Sequence, residues 1–152
     1  MATTFLTTAQ AKKEKGWVTV DATDQALGRI ASRIALILRG KHRPNFTQHA
    51  DSGDYVIVVN VERLKLTGDK LNQKFMKRYS GYPGGLKLLP YKDLMVKHPD
   101  KVLRRAVWGM LPRTVLGRRQ IRALKIYQGA NHPHQAQQPK VLVTRKGSLV
   151  PA

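Results

Sequence analysis

Residues 106–119 read AVWGMLPRTVLGRR, with Gly109 and Gly117 eight positions apart, Pro112 between them and Arg113, Arg118 and Arg119 close by. Glycine beside basic side chains lets a phosphate approach the backbone. Two chemistries fit that pattern, a nucleotide-binding loop of an enzyme or a clamp on a nucleic-acid backbone. A nucleoside-triphosphate loop needs GxxxxGK followed by Ser or Thr, after a strand and before a helix. Here Gly117 is followed by Arg118 and Arg119, the preceding segment has helical spacing, and no hydroxyl stands where magnesium would need one. The clamp is the better reading: Met110, Leu111, Val115 and Leu116 are expected to pack inward while the arginines project as forked phosphate donors.

Three other stretches carry chemistry. In LRGKHRP (38–44), Arg39, Lys41, His42 and Arg43 surround Gly40. A helix C-terminus favours one or two cations; four in five positions beside a stiff proline read as a phosphate contact. RYSGYPGGLK (78–87) interleaves Tyr79 and Tyr82 with Arg78, Lys87 and three glycines. For the tyrosines alone, packing on the core is the simpler reading. The basic, flexible loop as a whole reads as an RNA contact, in which aromatics stack on exposed bases. NHPHQAQQP (131–139) places His132 and His134 two apart, but a metal site needs three or four ligands and no HExxH spacing occurs. Asp21, Asp24, Asp51 and Asp54 suit caps and turns better than catalysis. No catalytic residue, metal site or cofactor is predicted.

Composition narrows the partner. Twenty-eight Lys and Arg against nine Asp and Glu leave a formal net charge of +19 over 152 residues. Self-repulsion on that scale favours a polyanionic partner; nucleic acid is the usual one, and an anionic membrane surface is the alternative. No acid follows Asp100, so residues 101–152 carry eleven basic residues unopposed. The longest apolar runs, such as YVIVV, are far too short to span a bilayer. Without cysteine there is no disulfide framework or thiolate site. The first sixteen residues lack an apolar signal core, so secretion is not expected; they are Thr-rich like a transit peptide, but short and without arginine.

These residues must be positioned by regular elements. WVTVDA (17–22) reads as a strand. The next segment, TDQALGRIASRIALILRGK, reads as a helix capped by Thr23 or Asp24 and stopped at Gly40. YVIVVNV (55–61) reads as a strand buried on both faces, which completes a strand–helix–strand unit and predicts an α/β fold around a parallel sheet. Residues 69–87 mix helix-like and loop-like signals. YKDLMVKHP and DKVLRRAVWGML read as two short helices separated by Pro99, VLGRRQIRAL as another, and KIYQG as a short closing strand. The division expected is a basic leader (1–16), a single α/β domain (17–140) and an extended basic tail (141–152).

In order along the chain, VDATDQALGRIASRIALILRGKHRP, GDYVIVVN, LTGDK, RYSGYPGGLK, AVWGMLPRTVLGRR, LKIYQG and HPHQAQQP resemble the bacterial-type large-subunit ribosomal protein L-thirteen family, over roughly residues 16–140. The chain departs from the family pattern at Trp108, at Asn131 and in FTQHAD. The resemblance implies a three-layer α/β/α domain with a central, mainly parallel four-stranded sheet. It implies binding to large-subunit rRNA beside neighbouring ribosomal proteins, a part in early subunit assembly, and no catalytic activity. It implies no membrane, small-molecule substrate or homo-oligomer, and a cytoplasmic ribosome, with an organellar one as the alternative. General nucleic-acid binding and regulation of messenger RNA are the other readings. The RNA-contacting residues expected are Arg29, Arg39, Lys41, His42, Arg43, Lys70, Lys74, Arg78, Tyr79, Tyr82, Lys87, Arg113, Arg118, Arg119, Arg122, Lys125, His132 and His134.

Overall fold

The computed structural model describes residues 5–145 and 148–151; residues 1–4 of the leader and 146–147 and 152 of the tail lie outside it. A short helix α1 (Thr8–Lys13) opens on a capping box between Thr7 and Gln10. Strand β1 (Trp17–Asp21) then leads into helix α2 (Leu27–Arg39) and strand β2 (Tyr55–Val59). β1 and β2 pair in parallel, Trp17 opposite Tyr55 through Asp21 opposite Val59.

Further along the chain come α3 (Lys70–Gln73), β3 (Phe75–Tyr79), β4 (Leu86–Pro90), α4 (Tyr91–Lys97), α5 (Pro99–Met110), α6 (Val115–Gln120), β5 (Leu124–Ile126), β6 (Lys140–Arg145) and β7 (Ser148–Pro151). The main sheet runs β5-β2-β1-β6-β7. Its first four strands are mutually parallel, and β7 adds antiparallel to β6 at the edge. With helices against it, this is the three-layer α/β/α arrangement. KIYQG is not the closing strand. Only Lys125 and Ile126 of it are in a strand, at the end of β5 on the edge beside β2, while β6 pairs with β1 inside the sheet.

The two faces of β1 and β2 differ with the period of two that a pleated strand imposes. Val18, Val20, Val56 and Val58 share one core with Ile30, Ile34 and Leu38 of α2 and Leu103 and Val107 of α5. The alternate residues Trp17 and Tyr55 stack with ring centroids 4.5 Å apart. Pro99 occupies the first turn of α5, where its missing N–H costs nothing.

The expected caps of α2 are otherwise employed. Thr23 Oγ1 donates to Asp21 Oδ1 at 2.7 Å, and Asp24 (φ 59) pairs with Lys65 at 2.8 Å. Ala26 stands at the cap position without a side-chain bond, and the Leu27 N–H donates instead to the Lys65 carbonyl at 3.0 Å. At the other end Gly40 (φ 83) terminates α2 as expected; the Lys41 N–H reaches back to the Leu36 carbonyl at 3.1 Å.

β2 stops at Val59, two residues short of the expectation, because Asn60 adopts a left-handed conformation (φ 55). Asn60 Nδ2 donates to Asp21 Oδ1 at 3.0 Å. Partial burial pushes the Asp21 carboxyl up, but the bonds from Asn60 and Thr23 and the nearby Arg63 outweigh it and hold the pKa below the usual aspartate value.

Candidate nucleic-acid interface

The segment 69–90, ambiguous in sequence, forms α3 and an antiparallel hairpin of β3 and β4. At its tip the Gly85 N–H donates to the Tyr82 carbonyl at 2.9 Å, across Pro83 and Gly84 (φ 73). Proline second and a positive-φ glycine third are the requirements of a type II turn. Tyr79 and Tyr82 are 64% and 75% exposed, so neither packs on the core as their aromatic character alone suggested. Arg78 stands directly opposite Lys87 in the pairing register. Like charges so placed destabilise an isolated hairpin, and an anion lying across the strands removes that cost. The base is anchored by half-buried Met76 and by a bond from the Tyr91 N–H to the Lys74 carbonyl at 2.9 Å.

The glycine–arginine segment is a helix–turn–helix joint between α5 and α6. Gly117 is buried, and a Cβ there would stand 1.9 Å from the Pro112 carbonyl oxygen. That glycine admits backbone rather than phosphate. Thr114 caps α6, accepting from the Gly117 N–H at 3.4 Å. Leu111 is buried and Leu116 half-buried, but Met110 and Val115 are exposed, contrary to the expected inward packing, because so short a joint cannot turn all four inward. Arg113, Arg118, Arg119 and Arg122 are exposed. Gly117→Ala is expected to cost about 1–3 kcal/mol through overpacking, read as a lower urea midpoint. An unchanged midpoint would show that the Pro112 carbonyl moves aside freely.

The structure also joins motifs that are distant in sequence. Arg39 lines a cleft of about 440 Å³ with Phe46 and with Pro112, Thr114, Val115 and Leu116 of the joint, its guanidinium 5.9 Å from the Phe46 ring centroid. Lys70 and Lys74 line a second hollow of about 400 Å³ with Lys65 and Arg105. Within it Lys70 Nζ donates to Thr67 at 3.0 Å, and Lys74 Nζ lies 5.1 Å from the Tyr91 ring. Burial pushes the Tyr91 phenol up, against a smaller opposing pull from Arg105. Arg29, in the first turn of α2, and Lys41, just past its end, are exposed; Lys125 on β5 is half-buried.

Four expected contacts are engaged inside the protein. Asp54, buried, accepts the Gly16 N–H at 2.7 Å and a guanidinium bond from Arg43, and His42 Nε2 lies 2.9 Å from its other oxygen. Arg43 also donates to the Glu14 carbonyl at 2.6 Å. His42 and Arg43 thus tie the end of α2 to the leader. His134 Nε2 is 2.8 Å from the Tyr127 hydroxyl, and its ring centroid is 5.0 Å from that of Trp17. His132 Nδ1 accepts the His134 N–H at 3.3 Å.

The aspartates are dispersed, Asp51 pairing with Lys15 at 2.5 Å and the others as described above. Among the described residues no cluster of His, Cys, Asp or Glu could hold a metal ion, and no helix is long and apolar enough to cross a membrane. Lys101, Arg104, Arg105 and Trp108 on α5 are not among the expected contacts, although Trp108 stands out as a departure from the family pattern. Their i, i+3, i+4, i+7 spacing marks one stripe of a helix, a signal that was there to be read.

An α/β core with exposed arginines and lysines on its joint, hairpin and helix ends defines a basic protein whose surface is complementary to a polyanion. The sequence pattern described as Ribosomal protein L13 matches residues 15–133. The large ribosomal subunit protein uL13 of Roseiflexus sp. (strain RS-1) is 58% identical over 132 residues, covering 87% of this chain and 90% of that protein. The uL13 proteins of Natranaerobius thermophilus (54% over 140 residues; 92% and 97% covered) and Syntrophomonas wolfei (53% over 131; 86% and 91%) are similarly close. The chain belongs to the ribosomal protein L13 family.

Proposed function

We propose that this protein is a structural component of the large ribosomal subunit that binds and organises large-subunit rRNA, takes part in early subunit assembly, and catalyses no reaction. Family membership over most of the chain carries the proposal. The unopposed positive charge beyond Asp100 and the exposed cations of the hairpin and joint support it. The contacts assigned to RNA are Arg29, Arg39, Lys41, Lys70, Lys74, Arg78, Tyr79, Tyr82, Lys87, Arg113, Arg118, Arg119, Arg122 and Lys125. Arg43, His42 and the two C-terminal histidines act by holding the framework.

The rigid unit works as a single copy on the ribosome of the cytoplasm, beside neighbouring ribosomal proteins, with the leader joined to it through Asp54 and the tail through β6 in the sheet. Cations neutralise phosphates of separate RNA helices and let them approach. Glycine turns and exposed aromatics adapt to unstacked nucleotides. Recognition then follows the folded shape of the RNA more than its base sequence. Competition at fixed salt tests this: folded large-subunit rRNA should displace the protein from duplex DNA. Preference for the duplex would overturn the proposal.

A further inference from the structure

We propose that Trp108 is a stacking platform for one unstacked RNA base, a proposal that rests on the RNA-binding reading above. Trp108 is half-buried on α5 and shares an open hollow of about 420 Å³ with Met76 at the base of the hairpin and Ile121 beyond α6. The rim is formed by Lys101, Arg104 and Arg105 of the same helix and by Arg118 of the joint; no carboxylate lines it. Arg104 is steadied by a 3.5 Å contact to the Leu124 carbonyl.

An apolar floor inside a ring of cations is an unfavourable seat for an apolar protein helix, whose arrival would desolvate the charges without pairing them. It suits an unstacked nucleotide. The base has flat apolar faces for the indole, and the flanking phosphates meet the arginine forks. The hollow falls in the range of small-molecule sites, about 300–1,000 Å³. Duplex DNA keeps its bases stacked and cannot fill it without strand opening. Arg118 thereby belongs to both the joint and the platform, so one bound strand would link α5, α6 and the hairpin base.

The protein holds two tryptophans, and Trp17 stacks on Tyr55, so Trp17→Phe preserves an aromatic ring there and leaves Trp108 as the sole indole. Titrating that variant with deproteinised large-subunit rRNA should quench Trp108 fluorescence in step with binding. In the otherwise native chain, Trp108→Ala should weaken binding on the order of tenfold and leave its salt dependence unchanged, since no phosphate contact is lost. Trp108→Phe should recover most of the affinity. Native binding by Trp108→Ala, or emission indifferent to RNA while the protein binds it, overturns this proposal and leaves the RNA-binding reading intact. Failure of the unaltered protein to bind the rRNA overturns both. Should Trp108→Ala fold poorly, the fluorescence of the Trp17→Phe variant on titration with the rRNA still decides.

Discussion

Asp54→Ala is expected to lower the melting temperature by about 6–20 °C, the equivalent of about 3–5 kcal/mol for breaking a buried ion pair in a chain of this size. Asp54 is 6% exposed and holds three groups at once: the Gly16 N–H, the His42 ring and the Arg43 guanidinium. Alanine leaves a largely buried guanidinium without its carboxylate and an N–H without its acceptor, and the penalty for each is larger than the net worth of the bonds themselves. The same substitution releases the leader from the end of α2. Adding Arg43→Ala should restore part of the loss, because it removes the orphaned charge. A thermal melt of the two single variants and the double variant measures that coupling. Strict additivity would mean that Arg43 is held by Glu14 and solvent instead of by Asp54.

The second large effect is on binding. Arg118→Ala combined with Arg119→Ala should weaken affinity for large-subunit rRNA on the order of a hundredfold, taking about 1.5 kcal/mol for each charge-assisted contact. The slope of log affinity against log salt should flatten by about 1.4–1.8, the contribution of two phosphates. Both side chains are exposed, so the melt should not move. Filter binding across a salt series separates the two quantities. A double variant with native affinity and native slope would remove the joint from the interface.

Much of the fold was legible because its signals are local. The β-branched runs of β1 and β2, the helical spacing from Leu27 to Leu38 and the glycine at position 40 each state one element without reference to the rest. The hairpin was not read, although Tyr82-Pro83-Gly84-Gly85 spells its turn. Apart from Met76 and Pro90 at its base, its strands are exposed on both faces and lack the alternation that usually marks a strand. The place of β6 beside β1 is a long-range pairing that no local pattern encodes.

The site divides in the same way. Exposed arginines of the joint follow from a short, strongly basic sequence between apolar anchors. The burial of Gly117 does not, because the group it accommodates is the backbone at Pro112, known only once the joint is folded. The LRGKHRP cluster looked uniformly available for phosphate. Asp54, on the segment that follows the loop, claims two of its four basic residues, while Arg39 and Lys41 remain on the outside or beside the cleft. Charge type was visible in the sequence; charge occupancy was a tertiary property.

Gradient sedimentation of cell extract at low and at high salt, with this protein followed through the fractions, tests the central claim most directly. A structural component of the large subunit should travel with that subunit at low salt and stay with it at high salt, held by shape and stacking as well as by screened charge. Migration as free protein or with DNA at both salts would contradict the ribosomal role and return the +19 charge to some other polyanion.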